Sequence, residues 1–457
     1  MTDASAAAGT GIWRGSALPV TLGAVALIFL AAMQSLAVTT VMPVVSADLD
    51  GAALYAVAFS GTLATSVIGM VAAGAWCDRS NPVRPLTAAV ALFVAGLVLS
   101  GLAATMPLLV AGRLIQGLGT GGQTVALYVV VARVYAPALH GRVFAAFSAA
   151  WVVPSLIGPF LAGAVAQYLH WRWVFLGVAA LTVAAFTVVL VRLGGRDLRT
   201  DDPAAGRVAG RLGCAVAVAA GALALSLAGE AGPWAGPVVA ASVLVVAVAA
   251  RPLLPRGTLR ARRGLPSVVL MRGLIAGSLF GAEIYVPYLL IDEYGFSPTW
   301  AGLGLTTAAL LWAAASEIQG RYGDRIGSAR IAVIGTGLLA LAALSAALTA
   351  LLHLPPGVII ACWSLAGAGM GLMYPRLTVL TLAYSTPQNQ GFNSSALSIS
   401  DSVGAATTIA VMGVVFTALA ATDAAFPAVF AIAVALALLA LVPGLRMQDA
   451  RIAVPST

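Results

Sequence analysis

The chain has 457 residues, of which 61% are hydrophobic and only 9% charged. Soluble domains carry about 25% charged residues, so a water-soluble enzyme or binding domain is excluded. The net charge of +8 is not a nucleic-acid signal in such a chain, because what matters is how it is distributed among the loops. Runs of about 20 apolar residues recur from end to end, each long enough to cross a bilayer as a helix. Helices are the economical answer, since hydrocarbon cannot satisfy exposed backbone groups.

In chain order, the apolar runs predict helices near 18–45, 53–76, 86–105, 108–132, 143–167 and 172–192. The first run, about 28 residues, is too long for a signal-peptide core, and no cleavage site stands out after it, so it is expected to be retained. A polar linker follows at 194–211. Two shorter runs, 213–229 and 234–250, are separated by the turn GEAGPW, and the Arg-rich segment RPLLPRGTLRARR occupies 251–263. Six more runs complete the chain: 266–291, 299–319, 330–352, 356–383, 394–420 and 424–444. The expected architecture is an all-α membrane protein with fourteen spans in a six-two-six plan. Its expected segments are 1–192, a linker with two additional spans at 193–263, 264–445, and a tail at 446–457.

Orientation follows from the arginines, since there is no lysine. With the N-terminus inside, Arg14, Arg79, Arg84, Arg133, Arg142, the linkers 192–211 and 251–272, Arg321, Arg325, Arg330, Arg376, Arg446 and Arg451 all face the cytoplasm. The opposite loops hold Asp48, Asp50, Glu230, Asp292, Glu293 and Asp423, with Arg172 as the basic exception. This is a positive-inside pattern with both termini cytoplasmic. Cys77, Cys214 and Cys362 are scattered, and His140, His170 and His353 lie in predicted loops, so neither a disulfide framework nor a metal or catalytic cluster is expected. A membrane-embedded enzyme would show clustered His, Asp, Glu or Cys, or a sizeable soluble domain, and a receptor or scaffold would not need a duplicated architecture.

Duplication is written in the spacing. GAWCDRSNPVR (74–84) and GRYGDRIGSAR (320–330) carry Gly, Asp, Arg and Arg at the same offsets, 246 residues apart. GLGTG (117–121) matches GAGMG (367–371) at 250, and Pro43 and Pro287 each end a first helix, 244 apart. Three anchors with nearly one offset mean an internal repeat of six helices. Two such halves in parallel resemble the major facilitator superfamily. Both copies of the opening segment resemble that family's loop between second and third helices, with Asn81 and Pro82 departing from it in the first copy. GRLIQGLGTGG (112–122) resembles its fourth-helix motif through Arg113, Gln116, Gly117 and Gly119. PSLIGPFLAG (154–163) resembles its fifth-helix antiporter motif through Gly158, Pro159 and Gly163, while Pro154 and Ala162 depart. The six-two-six plan is similar to the fourteen-helix drug:proton antiporter branch. The resemblance implies a proton-coupled exporter of small amphipathic compounds in a bacterial inner membrane, working as a monomer with no cofactor. Its partners would be a small-molecule substrate, protons and lipid. The alternative is a transporter of one specific metabolite or lipid, for uptake or export.

Candidate residues follow. Asp78, Arg79 and Arg84, with Asp324, Arg325 and Arg330, read as a cytoplasmic latch in which the Asp sits at a neighbouring helix N-terminus while the arginines pair across the seam between the halves; the alternative is an ordinary positive-inside loop. Arg113, inside the fourth helix, would be costly in hydrocarbon, so it faces a cavity or partner, or else snorkels to an interface. By resemblance its role is proton coupling or substrate contact. Glu283, one turn before Pro287, and Asp401 are the deepest carboxylates. Burial favours the neutral form of a carboxyl, which makes them candidate proton carriers, with a structural ion pair or a helix hydrogen bond as the alternative. Glu317 is placed for a local pair with Arg321. Where the antiporter branch often carries an acid in the first helix, this chain has Gln34. Gln34, Gln123, Tyr128, Trp151, Tyr285 and Asn393 are candidate cavity-lining residues. The small residues Gly117, Gly119, Gly158 and Gly163 suit close helix approach, and Pro154 and Pro159 are expected to bend the fifth helix.

Overall fold

A computed structural model describes residues 12–13, 17–51, 54–193, 195, 197–199, 208–228, 232, 234–296, 298–419 and 421–447. Arg14, Glu230, Arg451, most of the 194–211 linker and nearly all of the tail lie outside this set. The described residues form helices joined by short loops, with no strand among them. In the first half these are α1 (Leu18–Asp48), α2 (Tyr55–Cys77), α3 (Val83–Gly101), α4 (Met106–Val134), α5 (Pro137–Ala149), α6 (Val152–Tyr168) and α7 (Arg172–Leu193). Next come α8 (Val208–Leu227) and α9 (Ala235–Ala250). The second half has α10 (Leu265–Glu283), α11 (Tyr285–Asp292), α12 (Pro298–Ile326), α13 (Ser328–Leu352), α14 (Pro356–Ala383), α15 (Gln390–Leu419) and α16 (Ala425–Arg446). Proline at the first or second position opens α1, α4, α5, α10 and α14. There its fixed φ favours the helix and its missing N–H costs nothing.

Twelve helices among the described residues are long and apolar enough to span a membrane, including both helices between the halves. Two expected spans fall outside that set. One is α12, whose side chains over 298–306 are not described. The other, expected at 143–167, is divided into α5 and α6 at Ala150–Trp151. Pro154 has no N–H to give the carbonyl four residues back, which belongs to Ala150, and a helix interrupted there is the expected effect. The side chains of Pro43 and Pro159 are outside the described set. The first helix runs past Pro43 to Asp48. Its repeat partner is interrupted at Ile284, three residues before Pro287, and then continues as α11 to Asp292. Neither proline ends its helix, because the chain beyond each is still apolar and still needs internal hydrogen bonds.

Two compact units emerge, Met1–Leu253 with Thr386–Ser395, and Leu254–Ser385 with Ala396–Thr457. In the first, α4 packs on α2 and α3, α7 packs on α1 and α3, and α8 packs on α2 and α9. In the second, α14 packs on α12 and α13, and α16 packs on α10 and α13. The same four pairings thus occur twice, which is the duplication seen as contacts. Phe93, Leu97, Trp171 and Phe175 centre the first core; Trp363, Phe430, Val286 and Met370 centre the second.

Glycine sets the closest approaches. A Cβ on Gly117 would overlap the Thr62 carbonyl, one on Gly119 the Phe93 backbone nitrogen, and one on Gly121 the Ser66 carbonyl. Along α10, Gly273 and Gly277 meet Ser400, Gly404 and Thr408 of α15, and Gly281 meets Thr408 and Met412; a Cβ on Gly404 would overlap the Gly273 carbonyl. The fifth-helix glycines differ: a Cβ on Gly158 would come no nearer than 3.4 Å to Met33 Sδ, and one on Gly163 no nearer than 3.9 Å to Thr40. Gly119→Ala is therefore expected to cost about 1–3 kcal/mol through forced backbone shifts, whereas Gly158→Ala, where a Cβ has room within α6, should cost nothing and gain up to about 1 kcal/mol of helix propensity. Thermal unfolding of both purified variants checks the contrast.

Candidate functional site

The Asp78 carboxylate is the best-tied acid at the ends of the spans. It follows the last residue of α2 and is buried. Its Oδ1 accepts from Gly391 N–H at 2.6 Å and its Oδ2 from Phe392 N–H at 2.9 Å. These are unsatisfied donors in the first turn of α15, where a carboxylate both caps the helix and meets the positive end of its dipole. A Cβ on Gly391 would overlap the Gly74 carbonyl, so glycine at both positions permits the approach.

The guanidinium that organises this corner is Arg133, near the end of α4. It donates to Cys77 O at 2.8 Å, Ser80 O at 3.2 Å, Leu198 O at 2.7 Å, Pro387 O at 3.2 Å and Gln390 Oε1 at 3.4 Å. One side chain thereby joins the loop after α2, the linker and the segment before α15. Arg211 lies 4.3 Å from the centroid of the Phe392 ring. Arg79 and Arg84 are exposed at the same loop.

Burial pushes the Asp78 carboxyl up from 3.8 to about 6, against the Gly391 and Phe392 amides and the nearby Arg133 and Arg211 charges, which pull it down. The bound form of this corner thus holds its proton more tightly than a released, solvated Asp78 would. The resulting stabilisation is full below 3.8 and is lost as pH rises through about 6. Amide exchange at Gly391 and Phe392, corrected for its intrinsic pH dependence, should be slower at pH 5 than at pH 7. Asp78→Asn should abolish that difference.

The repeat copy is built differently. Asp324 pairs with Arg376 of α14, and Arg376 Nε donates to Ser328 Oγ at 2.8 Å. Arg376 is buried while Asp324 is exposed. Arg325 and Arg330 point to solvent. In both copies an arginine of the fourth helix of its half holds the loop, yet Arg133 stands 12 residues after GLGTG and Arg376 only five after GAGMG.

Deeper in the first unit, Arg113 is buried; its Nε donates to Ala58 O at 3.1 Å and its Nη1 to Gln116 Oε1 at 2.8 Å. It forms no ion pair among the described residues. Gln123 Nε2 donates to Leu27 O at 3.2 Å, but Gln123 Oε1 and both polar atoms of Gln34 are buried without a hydrogen bond among the described residues. Tyr128 meets Phe144 edge-on at 5.2 Å, and Trp151 is exposed at the α5–α6 break. Asn393 is buried in the first turns of α15, bonding Asn389.

In the second unit, Asp401 Oδ1 receives Arg272 Nε at 2.8 Å and Tyr374 OH at 2.7 Å, and the Arg272 guanidinium lies 3.4 Å from the centroid of the Tyr374 ring. Glu283, the last residue of α10, has no hydrogen bond or ion pair among the described residues. Pro287 leaves the Glu283 carbonyl without its helical donor. Beside it, Tyr285, Tyr288, Phe416 and Phe426 form an aromatic group with centroids 5.0–5.3 Å apart. Glu317 and Arg321 form the local pair expected, at 2.6 Å. Among the described residues no group of His, Cys, Asp and Glu could hold a metal.

The residues that sequence reasoning missed are Arg133, Arg376, Arg272, Tyr374 and, Asn393 apart, the 386–395 segment. The two fourth-helix arginines carried a sequence signal only as positive-inside charges.

Two helical units with one packing pattern, and a fourth-helix arginine on each 2–3 loop, define a duplicated helical membrane protein. A sequence model of the Major Facilitator Superfamily matches residues 24–406 and 268–451, and the chain belongs to that family of membrane transporters. It is 25% identical over 408 residues to the multidrug transporter protein MdtP of Bacillus subtilis, covering 87% of this chain and 74% of that one. It is 21% identical over 398 residues to the multidrug efflux pump SdrM of Staphylococcus aureus, covering 85% and 88%. It spans only 58% of an uncharacterised transporter of this type from Mycobacterium tuberculosis, at 28% identity over 85% of this chain. Among solved structures, a bacterial homologue of the iron transporter ferroportin superposes with a TM-score of 0.70 at 12% identity, covering 94% of this chain and 98% of that one. The proton:xylose symporter XylE superposes at 0.66 and 15%, covering 93% and 94%. At such identities these two likenesses speak for the fold alone.

Proposed function

We propose that this transporter exports small amphipathic compounds in exchange for protons, by alternating access across a bacterial plasma membrane with both termini in the cytoplasm. The observation that carries the proton coupling is Glu283: a carboxyl at membrane depth, at the break between α10 and α11, with no basic partner among the described residues. A carboxylate there is costly unless it is paired or protonated, so a proton is its natural partner. The names of MdtP and SdrM support the substrate class. Asp401 is the second carrier in this reading, exchanging its proton as the Arg272 pair opens and closes. Arg113, Gln34 and Gln123 supply hydrogen-bonding surface in the first unit, with Tyr128, Trp151, Tyr285 and Asn393 as further lining.

The corner around Asp78 and Arg133, with Arg79 and Arg84, works as the cytoplasmic latch, and the Asp324 copy with Arg325 and Arg330 as its counterpart. The reading includes fourteen spans, counting α5 with α6 and α12 beside the twelve that qualify by length and hydropathy. One proton moving through about 100 mV releases about 2.3 kcal/mol, which sustains a roughly 50-fold gradient at 1.4 kcal/mol per decade. The test is a screen of fluorescent amphipathic dyes in proteoliposomes. Accumulation should collapse when the proton gradient is dissipated, and full-rate accumulation without a gradient overturns the reading.

A further inference from the structure

The stretch 254–264, between α9 and α10, carries Arg256, Arg260, Arg262 and Arg263, all exposed. No acid occurs between Glu230 and Glu283, and none of the four arginines enters an ion pair among the described residues. A topogenic loop needs only charge, and could be slack. This one is tightly built. Gly257 and Gly264 take φ values of 90° and 85°, and Ala261 takes φ 47°, a left-handed conformation that costs a residue with a side chain. Arg260 N–H donates to Gly257 O at 3.1 Å and Arg262 N–H to the same carbonyl at 3.2 Å, while Thr258 Oγ1 donates to Pro255 O at 2.7 Å. From outside the loop, Arg446 Nη1 donates to Ala261 O at 3.1 Å and Ser267 Oγ to Arg262 O at 2.7 Å.

This order holds four like charges within eight residues of a segment that has no acid to offset them, and like charges held together repel. It also sets Arg262 and Arg263 just ahead of α10, where the helix dipole disfavours cations. Both costs are relieved by one thing, an anion on the loop. Leu259 is 62% exposed in the middle of the arginines. An apolar side chain among cations suits an anion that brings hydrocarbon with it. The loop joins two candidate spans, one ending at Leu253 and one starting at Leu265, so it lies at headgroup depth. We propose that 254–264 is a binding surface for an anionic phospholipid, whose headgroup phosphate engages Arg256, Arg260, Arg262 and Arg263 while Leu259 meets its acyl chains.

The test uses the full chain in neutral detergent, with bound dioleoyl phosphatidylglycerol counted by native mass spectrometry against phosphatidylcholine of the same chains. Wild type should prefer the anionic lipid. At about fivefold per basic residue, Arg256→Gln/Arg260→Gln/Arg262→Gln/Arg263→Gln should weaken that preference roughly 600-fold. Should the quadruple variant not fold, Arg256→Gln/Arg263→Gln should lose about 25-fold. Arg142→Gln/Arg192→Gln, which removes exposed arginines elsewhere, should keep the wild-type preference. The inference is overturned if wild type binds both lipids equally, if the loop variants retain the preference, if the control variant loses it equally, or if inorganic phosphate at the lipid's own concentration displaces the lipid.

Discussion

Glu283→Gln should reduce proton-driven transport by about 100-fold, the low end of what a positioned proton-transferring side chain contributes, while the protein folds and still exchanges substrate for substrate. Glutamine keeps the size and polarity of the side chain and removes only its titration. Because Glu283 has no ion pair among the described residues to lose, the change should leave packing intact and thermal unfolding nearly unaltered. Counterflow in proteoliposomes, which needs no net proton movement, isolates the coupling step. Wild-type accumulation by the variant in response to a proton gradient would remove Glu283 from the coupling path. Asp401→Asn makes the useful contrast. It leaves Arg272 facing Tyr374 with its charge uncompensated, so its loss should appear in stability as well as in transport.

The second large effect is expected at Arg133. Replacing it with glutamine removes donors to Cys77, Ser80, Leu198, Pro387 and Gln390 together. Glutamine cannot reach so many acceptors. Hydrogen bonds to a charged group are worth about 1.5–3 kcal/mol, and the loss should be concentrated in this corner. Cysteines placed at Ser80 and Pro387 should become several-fold more reactive to a soluble maleimide in Arg133→Gln than in the parent, and transport should fall. Asp78→Asn should produce a related but smaller exposure, because Arg133 would still hold the loop and the linker. Unchanged labelling in Arg133→Gln would show that this corner is held by something other than that guanidinium.

Much of this architecture is legible in the chain because hydrophobic runs and repeat spacing are local properties. The 246-residue offset between GAWCDRSNPVR and GRYGDRIGSAR foretells a fold in which the same helix pairings recur. Pro154 and Pro287 foretell disturbed helices, although the breaks fall three or four residues upstream, where the missing N–H is felt. Pairings between distant segments are another matter. Asp401 and Arg272 are 129 residues apart, and Asp78 and Gly391 are 313 apart. No periodicity connects either pair. Arg133 and Arg376 do similar work from different heights on their helices, so aligning the repeats does not reveal their kinship. Gln34 is visible as a polar residue in an apolar run, but its lack of a hydrogen bond among the described residues depends on which distant groups pack around it.

The unequal glycine seams bear on how a chain like this can drift. Where a glycine meets a neighbouring backbone, as Gly404 meets Gly273 and Gly119 meets Phe93, any heavier residue must displace a main chain, and such sites should stay frozen through long divergence. Gly158 and Gly163 face side chains at ordinary distances and are free to exchange with alanine or serine. A library of random variants should therefore accumulate neutral changes along the fifth helix first. Of the two helix signatures, the one at 154–163 therefore has the greater latitude to be lost and the one at 112–122 the lesser.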